Sequence, residues 1–206
     1  MSLQGTSAWF AERTGCLTAS RMAAAMSRLK NGADGADRKA LKIEVLAERL
    51  TGDVVPHFVT GAMQHGIDTE PAARAAYSAR DGVLIEECGF IRHPTIEHFG
   101  CSPDGMIERR LGLEIKCPTT AKYLSWRLAG TVPDEHKAQM TAQCVCAGFD
   151  AVEFVAYDPR LPRHLQLFVV RFTPTQEERD AVEAAAREFL AEVEAMFQQL
   201  TTTEPA

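Results

Sequence analysis

The chain has 206 residues, 46% of them hydrophobic, and a formal net charge of −6, with a pI near 5.5. That balance excludes a protein that coats nucleic acid indiscriminately, because neutralising phosphates takes a surplus of Lys and Arg; it leaves room for an enzyme whose basic contacts are gathered in one channel. No run of about 18 apolar residues occurs, and the opening Met1-Ser2-Leu3-Gln4 lacks the basic-then-apolar layout of a secretory signal, so a cytoplasmic protein that crosses no membrane is expected.

The length suits one domain, residues 1–200, with 201–206 as a frayed tail. Helix formers fill Asp37 to Leu50, with Leu41, Val45 and Leu46 as apolar positions and Thr51-Gly52 as a stop. A second helix is expected from Thr60 through Glu70 and Tyr77 to Asp81-Gly82, with Pro71 marking a break or the first turn of a further segment. From Gly82 the texture changes. Val83-Leu84-Ile85, Gly89-Phe90-Ile91, Phe99-Gly100-Cys101, Met106-Ile107 and Leu113-Glu114-Ile115 are short β-prone runs separated by Gly, Pro and Asp. They read as a three-stranded antiparallel meander.

Helices should follow over Thr120–Leu128 and Pro133–Cys146, with Pro133 in the first turn. Strands are then expected over Val152–Ala156 and Leu165–Val170. In the last segment Thr175 and Glu178 form a capping-box pattern, and Val182, Ala185, Phe189, Val193, Met196, Phe197 and Leu200 recur at helical steps. This amphipathic helix is expected to pack on the sheet or to serve a subunit interface. The six cysteines are scattered, several in apolar stretches, and predict reduced thiols and no zinc site.

The chemistry concentrates between residues 102 and 116. Ser102-Pro103-Asp104-Gly105 opens a hairpin, and Leu113-Glu114-Ile115-Lys116 returns as a strand that would lie beside it. Residues i and i+2 of a strand share a face, so Glu114 and Lys116 project together while Ile115 turns into the core. Two carboxylates can converge there on a hard cation such as Mg²⁺, with an ammonium beside the water the metal polarises. These are the parts that phosphodiester hydrolysis needs. Charged triplets on strands are common, but this pair interrupts an apolar strand, where unpaired charges would cost several kcal/mol.

Four stretches in order, Thr18-Ala19-Ser20, Ser102-Pro103-Asp104-Gly105, Leu113-Glu114-Ile115-Lys116-Cys117-Pro118 and Tyr157-Asp158-Pro159-Arg160, resemble the phage lambda exonuclease and YqaJ-type viral recombinase nucleases of the PD-(D/E)xK superfamily. The resemblance runs from about Trp9 to Phe172. It implies an α/β (α+β) fold: a restriction-endonuclease-like αβββαβ core whose mixed central sheet is flanked by helices, followed by the C-terminal amphipathic helix.

The same resemblance assigns roles. Asp104 and Glu114 would hold metal together with the Ile115 carbonyl, Lys116 would orient or activate the attacking water, and the helix-borne Glu70 would complete the set. Gln139 matches a glutamine near the active site. Arg13, Ser20 and Ser102 fall where the family binds the 5′ phosphate of the strand being degraded, a chemistry suited to a guanidinium fork and hydroxyls. Taken alone, Ser20 also suits a helix N-cap, and His65, five residues before Glu70, reads as a structural histidine rather than a ligand.

The implied activity is a 5′-to-3′ exonuclease on double-stranded DNA. It would use two Mg²⁺ ions, or Mn²⁺ in their place, and leave 3′ single-stranded tails for phage-type recombination. A homotrimeric ring and a single-strand annealing partner are implied with it. Two rivals stand beside it: an endonuclease or 3′-directed exonuclease on the same core, and a non-catalytic protein that binds DNA ends.

Overall fold

The computed structural model describes residues 2–55 and 60–202. His57 lies outside the described residues; of the expected tail, Thr201 and Thr202 finish and cap the last helix, and 203–206 lie outside. The chain opens with a helix, α1 (Ser7–Arg13), capped by Thr6, whose hydroxyl accepts from the Trp9 amide. At seven residues it is too short for periodicity to announce. Gly15 then turns the chain with φ +70°, where a Cβ would meet Arg49 Cγ at 2.7 Å. Both the backbone conformation and the close approach demand glycine.

β1 (Leu17–Thr18), a single 3₁₀ turn over Ala19–Arg21 and the short α2 (Met22–Ala25) lead into α3 (Ala36–Thr51), which ends on Gly52 in the left-handed region. α4 (Gly61–Asp81) is capped by Thr60 and stopped by Gly82. It runs straight through Pro71, which breaks nothing; the residue is exposed, and an interior proline forfeits a single ladder bond.

The β-rich middle is two sheets rather than one meander. β2 (Ile91–Arg92) and β3 (Phe99–Cys101) pair antiparallel, and β1 joins β3 in parallel, in the order β1-β3-β2. The chain then leaves this sheet at Ser102-Pro103-Asp104, where proline offers no ladder donor, and enters a second sheet of order β4-β5-β6-β7. Its strands are β4 (Gly105–Ile107), β5 (Leu111–Lys116), β6 (Ala151–Tyr157) and β7 (Leu167–Phe172), and only β5 and β6 run parallel.

A parallel pair needs a long crossover, supplied by α5 (Thr120–Ala129) and α6 (Asp134–Ala147). Pro133 is the N-cap of α6 rather than a first-turn residue, its ψ of 136° being extended. Val83-Leu84-Ile85 forms no strand: Leu84 is 82% exposed, and only Glu86 bridges to Met106. Leu165 belongs to a 3₁₀ turn before β7.

α7 (Gln176–Thr201) carries the full capping box of Thr175 and Glu178. It buries Val182, Phe189 and Val193, with Ala186 and Leu190 beside them, against residues of α2, α3 and α6. The same cluster takes in Leu17, Phe99 and Cys101 of the first sheet. Arg38, fully buried, fastens α3 to this helix through Glu192 at 2.9 Å. All six cysteines are free thiols. Among the described residues no helix is long and apolar enough to cross a membrane.

Candidate active site

The turn between the two sheets sets the site. The Asp104 amide donates to the Leu113 carbonyl at 3.0 Å, which extends the β4–β5 ladder by one residue. Its carboxylate Oδ2 then accepts from the Ile115 amide at 2.6 Å. Ile115 points into a cluster with Leu113, Val155 and Tyr77, while Glu114 and Lys116 face the other way and pair at 2.5 Å. The alternation expected of the strand is what β5 has.

Glu114 is buried, 1% exposed, beneath α6. Gln139 Nε2 donates to its Oε1 at 2.7 Å and Gln143 Nε2 donates to its Oε2 at 2.5 Å. Residues i and i+4 of a helix share a face, so one stretch of α6 clamps the carboxylate from above while Lys116 approaches from the strand. Gln143 Oε1 is buried without a partner among the described residues.

Arg74 ties the helix-borne acid to the turn. Its Nη2 pairs with Glu70 Oε1 at 2.6 Å, and Nε and Nη2 both donate to the Asp104 carbonyl, at 3.2 and 3.0 Å. Arg74, Gln143 and Trp9 were not singled out from sequence. The i, i+4 spacings Glu70/Arg74 and Gln139/Gln143 are the signals that could have found two of them.

On the other side, Trp9 of α1 donates from Nε1 to the Ser102 hydroxyl at 3.0 Å, and Gln4 Nε2 donates to the Pro103 carbonyl at 2.7 Å. The docked helix brings up Arg13, whose guanidinium carbon stands 3.9 Å from the centroid of the Trp9 ring. Among the described residues no hydrogen bond or ion pair engages that guanidinium. Burial, then the like charge of Arg21, pull its pKa down to about 10, so it remains a cation at neutral pH.

Ser20 is exposed in the 3₁₀ turn, its hydroxyl 3.1 Å from that of Thr18, and caps no helix. Arg21 is held by the buried Glu48 at 2.7 and 3.1 Å, and Glu48 also accepts from the Gly15 amide at 3.0 Å. Thus the turn that carries Arg13 toward Ser20 is itself anchored.

Arg13, Ser20, Ser102, Asp104, Glu114, Lys116 and Gln139 line one cavity of about 170 Å³. A second, of about 500 Å³, shares Asp104 and Lys116 with it and adds Glu70 and Ile115. His65 lines neither; its Nδ1 is 3.4 Å from the Thr69 hydroxyl.

Burial, reinforced by the Glu114 charge, pushes the Asp104 carboxyl well above the usual carboxylate range. Burial also raises Glu70, against the pull of Arg74. Burial alone would depress the Lys116 ammonium, but Glu114 and Asp104 outweigh it and hold it above its ordinary value.

Among the described residues no three His, Cys, Asp or Glu side chains already stand in a coordinating arrangement. Glu114 is engaged by amides and Lys116, and Glu70 is turned to Arg74. The donor set nonetheless suits a hard divalent cation: carboxylate oxygens and a peptide carbonyl, in a cluster whose mutual repulsion a cation would relieve.

A mixed sheet with acids and a lysine at the bend of its hairpin, crossed over by helices, defines a nuclease of the restriction-endonuclease-like class. The chain belongs to the YqaJ-like viral recombinase domain family, whose model matches residues 8–150. It is 38% identical to an alkaline exonuclease, LHK-Exo, from Laribacter hongkongensis over 95% of this chain and 96% of that one, with a TM-score of 0.89. The structure of LHK-Exo in complex with dAMP matches with a TM-score of 0.88 at the same identity and coverage. A phage-related exonuclease from Haemophilus somnus 129PT, 14% identical over 88% of this chain and 96% of that one, shares the fold with a TM-score of 0.64. No curated protein matches the sequence. The chain is a DNA exonuclease of this family.

Proposed function

We propose that residues 1–200 act as one nuclease domain that degrades duplex DNA from a 5′-phosphorylated end. It would release nucleotides 5′ to 3′ and leave a 3′ single-stranded tail for recombination by strand annealing. One observation carries this reading. A single small cavity joins the Arg13 guanidinium, unpaired among the described residues, and two hydroxyls to the Asp104, Glu114 and Lys116 cluster. A terminal phosphate on Arg13, Ser20 and Ser102 would leave the next phosphodiester facing the acids.

Asp104, Glu114 and Glu70, with the Ile115 carbonyl, would hold Mg²⁺, or Mn²⁺ in its stead, as two ions. Bound there, such ions supply charge stabilisation to the phosphate and lower the pKa of water. The protein's own groups do the rest. Lys116, a cation fixed by Glu114 at 2.5 Å, orients the attacking water and balances charge that builds on the phosphate oxygens. Gln139 and Gln143 keep Glu114 in one rotamer. Arg13 selects the end by a charge-assisted bond in a partly buried corner, where such bonds are stronger than at the open surface. Arg74 holds Glu70 against the Asp104 turn.

A homotrimeric ring in the cytoplasm, threaded by DNA and working beside a single-strand annealing protein, completes the proposal; it rests on the family likeness. The test is time-resolved digestion of a duplex carrying one 5′ phosphate, each strand end-labelled in turn, with Mg²⁺. Loss of mononucleotides from the phosphorylated strand alone is expected. Cleavage of covalently closed circles, or loss from the 3′ end, would overturn it.

A further inference from the structure

The larger cavity has no part in recognising the terminal phosphate, and its wall is built differently. Its lining joins Glu70, Asp104 and Lys116 to Met63, Ile67, Pro118 and Trp126, with Lys122 and His136 among them. Met63 and Ile67, one turn apart on α4, are 50% and 59% exposed. His136 stacks on Phe154 and meets Trp126 edge-on, with both ring centroids at 5.4 Å. Its Nε2 is buried without a hydrogen-bond partner among the described residues, 3.6 Å from Glu135.

Size separates the two cavities. Sites for ligands of nucleotide dimensions run about 300–1,000 Å³; the smaller cavity, at about 170 Å³, suits a phosphate, and the larger, at about 500 Å³, suits a nucleotide unit. Because they share Asp104 and Lys116, a strand whose end lies in the first and whose scissile phosphate faces the acids continues into the second.

We infer that this cavity is the subsite for the nucleoside immediately 3′ of the scissile phosphate, and that Lys122 binds the phosphate after it. The inference rests on the proposed 5′-end reading. The apolar lining offers surface to sugar and base without reading sequence. Lys122 sits in the first turn of α5, where the helix dipole adds to its positive field. It is half-exposed, pairs with Glu135 at 2.9 Å and lies 5.1 Å from the centroid of Trp126. A phosphate arriving there displaces Glu135 as its partner. Two substitutions should therefore act in opposite directions: Lys122→Ala weakens the subsite, and Glu135→Gln, which removes the competing anion, strengthens it.

The experiment measures release of the first nucleotide from a 5′-phosphorylated duplex, either ordinary or with a neutral methylphosphonate at the phosphodiester following the scissile one. With the wild type, the neutral linkage should raise KM about three- to tenfold and leave kcat nearly unchanged, the size of one partly screened ionic contact. Lys122→Ala should show the same rise on the ordinary duplex and no further rise on the modified one. Glu135→Gln should lower KM on the ordinary duplex only. Equal sensitivity of wild type and Lys122→Ala to the neutral linkage overturns the subsite. Failure of the wild type to release a 5′ nucleotide from the ordinary duplex instead overturns the underlying reading.

Discussion

The two walls of the small cavity are opposites in charge and alike in design. On the Arg13 wall the buried Glu48 is consumed by Arg21 and the Gly15 amide, so Arg13 is the cation left over, stacked on Trp9 and otherwise unpaired among the described residues. On the acid wall Lys116 and Arg74 answer part of the charge of Glu114 and Glu70, and Asp104 remains pressed between its neighbours. Each wall keeps one unanswered charge of the sign its proposed guest lacks. Structural ion pairs such as Arg38–Glu192 close on themselves; a binding site is recognised by the charge its own neighbours decline to satisfy.

Breaking the acid wall should have the largest effect. Lys116→Ala should lower cleavage by roughly a thousandfold, the scale of removing one charge-stabilising donor from a site, while circular dichroism and end binding stay near wild type. Digestion at an undiminished rate would remove Lys116 from the mechanism. Breaking the other wall should alter selectivity instead. Arg13→Ala should lower kcat/KM for 5′-phosphorylated duplex by roughly 10- to 100-fold, the worth of one charge-assisted contact. Hydroxyl-ended duplex should be cut as before, and a uniform loss on both ends would assign Arg13 a structural role only.

The third prediction concerns stability. The Asp104 carboxyl has a folded-state pKa raised by burial and by Glu114, so its ionised form opposes folding at neutral pH. Asp104→Asn keeps an oxygen for the Ile115 amide and removes that charge, and should raise Tm at pH 7 even as cleavage is lost. The gain must shrink as pH falls, because the wild-type carboxyl is then protonated as well, and it should vanish below the ordinary carboxylate pKa of about 4. Added Mg²⁺ should raise the wild-type Tm more than that of Asp104→Asn. A variant that melts lower than wild type at pH 7 would show that the cluster is not under repulsion.

What was legible in the sequence follows the reach of each interaction. The Glu114–Lys116 pairing is a property of one strand, and Asp104 lies within one hairpin of it, so alternation and turn residues suffice to bring them together. The helices α3, α4 and α7 could be read from their caps and stripes. The division into two sheets could not: β-prone runs do not say which neighbour they pair with, and Pro103, which carries the chain out of the first sheet, resembles any turn proline. Trp9 and Glu48 act across elements distant in sequence, on a hydroxyl and an amide, and leave no periodic trace; Arg74 shows its i, i+4 spacing to Glu70 but not its hold on the distant Asp104 carbonyl. α1 is too short to show one.

The smallest effect belongs to the hairpin that sets Asp104 opposite β5. Its turn, Ile107 to Arg110, closes with the Arg110 amide on the Ile107 carbonyl at 3.2 Å, and both central residues, Glu108 and Arg109, have positive φ, 51° and 57°. Tight hairpins favour Asn-Gly there because both conformations are then nearly free of strain, whereas other side chains in the left-handed region cost of order 1 kcal/mol each. Replacing the pair, Glu108→Asn with Arg109→Gly, should raise unfolding free energy by about 1 kcal/mol, part of the gain being offset by the added chain entropy of glycine. Activity should not change. The register is held by the ladder itself, Gly105 opposite Leu113 and the Asp104 amide on the Leu113 carbonyl, so relaxing the turn leaves Asp104 where it is. A fall in kcat without loss of stability would mean that the strained turn helps to aim Asp104, and that the tension on the acid wall extends beyond its charges into the backbone beneath them.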